Sequence, residues 1–171
     1  MKRILSTLAL VAGLLFGALA SPIAHAGALS DYAENKLIDA VLRGQALGAP
    51  ATGYIRLDTT TCTDAGPGTE VTGGAYARQA VTASLANWAG TQGAGTTVAS
   101  TGTSGTTSNN AVITFPESTA AWGNLQSVKY TDAASAGNTW FCIDLTTPFN
   151  VSAAGVTVKF NAGTLQLQID N

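Results

Sequence analysis

Val156-Thr157-Val158-Lys159-Phe160 and, beyond Asn161-Ala162-Gly163-Thr164, Leu165-Gln166-Leu167-Gln168-Ile169 alternate apolar with polar residues. Side chains of a strand point to opposite faces in turn. Val156, Val158 and Phe160 therefore share one face, as do Leu165, Leu167 and Ile169, while Gln166 and Gln168 take the other. Asn161-Ala162-Gly163 reads as a short hairpin turn. Outward from this pair the same period-two code marks strands at Tyr54 to Thr59, Ala75 to Thr82, Ala111 to Phe115, Leu125 to Thr131 and Thr139 to Leu145. Asp132 to Asn138 is a Gly/Ala/Ser turn region. About seven short strands predict a mainly β fold, an antiparallel β-sandwich or flattened barrel.

One stretch follows another period. Leu29, Ala33, Leu37, Ile38, Val41 and Leu42 recur at helical spacing and share a face. Asp31 with Glu34 forms a capping pair, with Ser30 as a competing cap. Arg43 suits the negative end of the helix dipole, and Gly44 is a stop. The expectation is one N-terminal amphipathic helix at about 30–43, its apolar face plugging the sheet. The stretch at about 89–110 is nearly all Gly, Thr, Ser and Ala, with Val98 its only larger aliphatic residue. It buries too little apolar area to offset its ordering entropy, and reads as a mobile surface loop or a ragged strand pair.

Residues 1–26 read as an export signal: Lys2 and Arg3, an apolar run from Ile4 to Ala20, then Ala24-His25-Ala26 before a cut between Ala26 and Gly27. The remaining residues, 27–171, suit a single domain. Losing Lys2 and Arg3 takes the formal charge from −2 to −4. That balance supplies no basic patch for phosphates, so nucleic-acid partners are not expected. No second apolar run is long enough to span a membrane after processing. Cys62 and Cys142 are the only cysteines, and in an exported chain they are expected to form one disulfide.

The chemistry is mostly one of absences. The one histidine, His25, falls in the signal segment. The processed chain thus has no Ser-His-Asp or Cys-His nucleophile system and lacks the commonest metal ligand. No catalytic residue and no cofactor is expected. Asp58, Asp64 and Glu70 share a loop-rich stretch and are the candidates for a calcium site or a carboxylate pair; solvated turn acids are the plainer reading, and no metal is assigned. Of the tryptophans, Trp122 and Trp140 are expected in the core. Trp88 is the candidate for a ligand-binding aromatic.

Several segments fall in a familiar order. They are Ala28-Leu29-Ser30-Asp31-Tyr32 with Glu34-Asn35-Lys36-Leu37 and Val41-Leu42-Arg43-Gly44; Ala49-Pro50-Ala51-Thr52; Asp64-Ala65-Gly66-Pro67-Gly68-Thr69-Glu70-Val71; and Gly73-Gly74-Ala75-Tyr76-Ala77-Arg78-Gln79-Ala80-Val81. Ile113-Thr114-Phe115-Pro116, Ala121-Trp122-Gly123, Leu145-Thr146-Thr147-Pro148, Val158-Lys159-Phe160 and Ala162-Gly163-Thr164-Leu165 continue the series. Together they resemble a family of small phage virion proteins described as tail-fibre proteins and related to capsid-decoration folds. The resemblance implies a structural protein without catalytic residues that self-associates or joins a larger particle or surface. The export signal and both cysteines depart from the family pattern.

The leading expectation is an exported, non-enzymatic protein, a tail-fibre or decoration type, that works by presenting a surface. The alternative is a secreted carbohydrate-binding or adhesin module that meets a glycan receptor through Trp88 and the polar loop. A carboxylate-based hydrolase using Asp58, Asp64 and Glu70 is the third.

Overall fold

A computed structural model describes residues 29–169 other than Asp64 and Gly66. The expected export signal, its Ala26–Gly27 cut, His25 and the candidate ligand Asp64 lie outside the described residues. The chain runs α1 (Asp31–Leu42), β1 (Thr52–Asp58), β2 (Gln79–Thr82), β3 (Thr106–Ser108), β4 (Ile113–Thr114), β5 (Gly123–Thr131), β6 (Thr139–Val151), β7 (Lys159–Phe160) and β8 (Gln166–Gln168). Among the described residues it is mainly β and antiparallel, with eight strands and one helix. One sheet has the order β2-β1-β5-β6, and β3-β8 and β4-β7 form two short ladders.

The central pair shows how the sequence sets the core. In β1, Ile55 and Leu57 face the interior and are fully buried, while Tyr54, Arg56 and Asp58 take the other face by alternation. In β5 the register shifts between Leu125 and Ser127. That irregularity moves the following residues by one face, so Leu125, Val128 and Tyr130 all join the core with Ile55 and Leu57. Trp122 and Trp140 are buried in the same core, as the sequence predicts. Ile113, Phe115, Val158 and Leu165, on and beside the short ladders, close the core from the other layer.

The hairpin expected at Asn161-Ala162-Gly163 is corrected. A turn does form, with Thr164 N–H donating to Asn161 O at 3.1 Å. Its two arms then part: β7 pairs with β4 and β8 pairs with β3. The fully buried Asn109 side chain directs this divergence. Its Nδ2 donates to Asn161 O at 2.9 Å and its Oδ1 accepts from Leu165 N–H, also at 2.9 Å. Its backbone carbonyl accepts from Gly163 N–H at 2.7 Å. A buried amide with these partners satisfied holds the turn open between ladders.

Within 89–110, β3 is the strand that composition concealed. The preceding segment is folded on side-chain hydrogen bonds to backbone. Thr96 Oγ1 accepts from Gly90 N–H at 2.8 Å, and Gln92 Nε2 donates to Ala99 O at 3.1 Å.

The helix starts and ends close to expectation. Ser30 wins as the N-cap, its hydroxyl accepting from Ala33 N–H at 3.3 Å. Leu29 bridges Phe141, Ser30 N–H donates to Trp140 O at 3.0 Å, and the Ser30 hydroxyl donates to Thr139 O. These contacts tie the first turn to the edge of β6. The expected inward plug is corrected: Ala33 is the buried helix residue, whereas Leu37, Ile38, Val41 and Leu42 are 40%, 51%, 70% and 78% exposed. Periodicity shows that a face is apolar; it does not say what covers it.

Candidate interaction surface

Two features lie on opposite sides of the main sheet: a bed of buried charge and an apolar face. Arg56 and Lys129 stand directly opposite each other in the β1–β5 register. Like charges so placed repel, and the anion that resolves them is Asp58, fully buried. Asp58 Oδ1 and Oδ2 accept from Arg56 Nε and Nη2 at 2.6 and 2.9 Å. Lys129 Nζ lies 3.3 Å from Asp58 Oδ2. Both cations also donate to Pro67 O, at 2.6 Å from Arg56 and 2.7 Å from Lys129. This draws the loop around Pro67 and Gly68 down as a lid on the polar face of β5. Gly68 closes the lid with φ +65°, and a Cβ there would stand 2.1 Å from Asp58 Oδ2. Burial lowers the Lys129 ammonium, with the Asp58 charge working against that shift.

Glu70 sits beside this bed, bridged to Asp58 through the backbone. It meets Arg78 in a bidentate pair at 2.7 Å on each oxygen, and its Oε2 is 3.6 Å from Arg56 Nε. Burial alone would raise the Glu70 carboxyl. The Arg78 hydrogen bond and charge, with Arg56, outweigh it and hold the group below its ordinary value. Arg78 extends the network to Thr131 Oγ1 at 3.1 Å and to the carbonyls of Ala133 and Ala136 at 2.7 and 2.8 Å. Tyr76 donates to Glu70 and accepts from Leu57 N–H, and burial raises its hydroxyl.

The structure thus brings two of the three candidate acids together, but binds each to guanidinium groups. Among the described residues, no cluster of three His, Cys, Asp or Glu is placed to hold a metal ion. Sequence reasoning missed Arg56, Arg78 and Lys129. Their signal was available: each is a long cation in or beside a strand whose neighbours alternate into the core. Cys62 and Cys142 are joined as a disulfide with a Cα–Cα distance of 5.7 Å, and Cys62 N–H donates to Asp144 Oδ1 at 2.7 Å. The bridge fastens the other end of the lid to β6.

On the core side, α1 and the sheet enclose an open groove of about 300 Å³ lined by Leu29, Ala33, Leu37, Leu47, Pro50, Trp88, Tyr130, Trp140, Phe141, Leu167 and Ile169. Trp88 lies here, half-buried, edge-on to Tyr130 with ring centroids 5.8 Å apart. Trp140 meets Tyr32 in the same way at 5.6 Å. Of the exposed α1 residues Leu37 lines the groove, and Leu47 and Ile169 on its rim are also exposed. Contiguous apolar surface of this kind marks an interaction site. Among the described residues no helix is long and apolar enough to cross a membrane.

No curated protein matches the chain. A family model described as the podophage GP4 fiber I protein gp80 matches residues 28–168. That span takes in α1, the strands described above, the charge bed and the groove apart from Ile169, and the chain belongs to this phage tail-fibre-like family of virion proteins.

Proposed function

We propose that the chain is an exported, non-enzymatic structural subunit of a phage fibre that self-associates and seats in the particle through the outer face of α1. The single observation that supports this most is the exposure of Leu37, Ile38, Val41 and Leu42 on a helix tied down at its first turn. A 12-residue helix of this composition is marginal alone, and leaving its apolar residues in water forfeits roughly 1.5–3 kcal/mol for each side chain that a partner would bury. Membership of a virion-protein family supports the particle as the place for such a partner. Export is supported by Lys2 and Arg3, the apolar run after them and Ala24-His25-Ala26.

The test is peptide mapping of purified particles and amino-terminal sequencing of the copy they contain. The expected result is incorporation of a chain beginning at Gly27, and its loss in a Val41→Asp variant that still folds. A wild-type chain absent from particles overturns the structural role. A particle-bound chain that begins at Met1 overturns processing alone.

A further inference from the structure

The free edges of β2 and β4 open onto one cleft of about 400 Å³, walled by 79–82 on one side and 111–114 on the other. β2 is the outermost strand of the four-stranded sheet, and β4 has only β7 as a neighbour. In an antiparallel ladder, consecutive residues turn their backbone groups to opposite sides. Ala83 N–H donates to Ala51 O at 2.9 Å, which places the backbone groups of Val81 and Gln79 toward β1 as well. Ala80 and Thr82 therefore turn theirs to the cleft. By the same reasoning, Phe115 N–H donating to Val158 O at 3.0 Å turns Ile113 toward β7 and Thr114 and Val112 toward the cleft.

Two carbonyls here are already satisfied. Asn87 Nδ2 donates to Thr82 O at 2.9 Å and Asn109 Nδ2 donates to Ala111 O at 2.7 Å. The N–H and C=O of Ala80 and of Thr114, and the N–H of Thr82, have no hydrogen-bond partner among the described residues. Exposed strand edges are ordinarily protected by charge, proline or a cover. Gln79-Ala80-Val81-Thr82 has neither a charge nor a proline, and no ionisable side chain lines the cleft.

We propose that this cleft takes up an extended, uncharged peptide segment of another protein chain, added as a strand between β2 and β4. The outward donors and acceptors of Ala80, Thr82 and Thr114 on the walls of one cleft are groups that a strand backbone complements, the basis of recognition by strand addition. An uncharged occupant follows from the uncharged walls, because a buried ionised side chain would find no partner there. This inference is independent of how α1 is used.

Amide exchange in the full, isotope-labelled chain tests it, with acetyl-Thr-Val-Thr-Val-Thr-amide as probe. Controls are the same peptide with proline in place of valine, a lysine-substituted peptide, and a linear oligosaccharide. At a probe concentration ten times its dissociation constant, exchange at Ala80, Thr82 and Thr114 is expected to slow about tenfold, by mass action. The Ile55 and Val128 amides, buried in the core and opening with the whole fold, should slow by no more than the same factor. The proline peptide, which cannot present the alternate N–H groups, should have no effect, and neither should the lysine peptide. In an Ala80→Pro chain, which loses one outward donor and no ladder bond, the slowing should fall. No slowing with millimolar probe overturns the proposal. Equal slowing by the proline peptide or the oligosaccharide, or slow exchange of the three amides before any addition, does so too.

Discussion

Asp58 neutralises two cations that the β1–β5 register forces together, and it does so without contact with water. Removing one member of a buried ionic set leaves the others charged and unpaired, which costs about 3–5 kcal/mol. Asp58→Asn is therefore expected to be among the most destabilising single changes, read as a lowered urea midpoint with an unchanged slope. Glu70 adds a pH dependence. Its carboxyl is held below the ordinary value near 4.5 in the folded chain, so the folded state binds a proton less readily than the unfolded one. The stability this confers is complete above about pH 4.5 and is lost as the pH falls through the lower folded value. Glu70→Gln should make the acid limb of a stability-against-pH curve shallower while leaving a neutral-pH deficit of about 1–3 kcal/mol from the unmatched Arg78. An unchanged acid limb would assign the acid sensitivity to other carboxylates. None of this was legible as a network. Asp58 and Glu70 stood out as acids in a loop-rich stretch, and Arg56 lies two residues from Asp58 on the same face of β1, but Arg78 and Lys129 come from other segments, whose approach local spacing does not show.

The helix shows what a periodic pattern fixes and what it leaves open. Its limits were legible because caps are local: Ser30, Arg43 and Gly44 act within a turn of their own position. Its orientation was not, because Leu37, Ile38, Val41 and Leu42 would satisfy an inward-facing pattern equally well. What decides is the anchoring of Leu29 and Ser30 on β6 and the small Ala33, which alone lets the helix approach closely. Two opposite expectations follow. Val41 and Leu42 are mostly exposed in the isolated chain, so Val41→Asp and Leu42→Asp should cost it no more than about 1 kcal/mol, chiefly from a carboxylate at the helix C-terminus. Ala33→Leu overfills the contact with the sheet and should cost about 1–3 kcal/mol. Chemical denaturation of the three variants distinguishes an outward from an inward apolar face. A large loss for Leu42→Asp in a monomeric sample would restore the plug. β3 was hidden for a related reason: Thr106-Thr107-Ser108 carries no apolar alternation, and it becomes a strand only because β8 offers it a ladder.

The whole chain depends on one covalent tie between distant parts. The antiparallel, mainly β fold was readable because each strand encodes its own alternation. The division into a four-stranded sheet and two short ladders was not, because pairing depends on turns such as 161–164, where a buried Asn109 overrides hairpin chemistry. Cys62 and Cys142 lie 80 residues apart in sequence, and their bridge spans the lid and β6. In the chain-entropy account, closing a loop of that length stabilises by about 4 kcal/mol by restricting the unfolded chain. Reduction is then expected to lower the midpoint of thermal unfolding by about 8–16 °C, taking roughly 2–4 °C for each kcal/mol in a chain of this size. It is also expected to steepen the urea dependence, since the reduced unfolded chain expands and exposes more surface. Cys62→Ser with Cys142→Ser should reproduce both effects under oxidising conditions. Because Cys142 is buried, the paired variant also loses packing, so its midpoint should lie at or below that of the reduced wild type. The slope separates the two contributions. A lower midpoint with an unchanged slope would mean that the bridge acts by holding the lid over Asp58 and Lys129 in the folded state. The acid sensitivity attributed to Glu70 should then fall on reduction, because water would screen the Arg78 and Arg56 interactions that hold its carboxyl down.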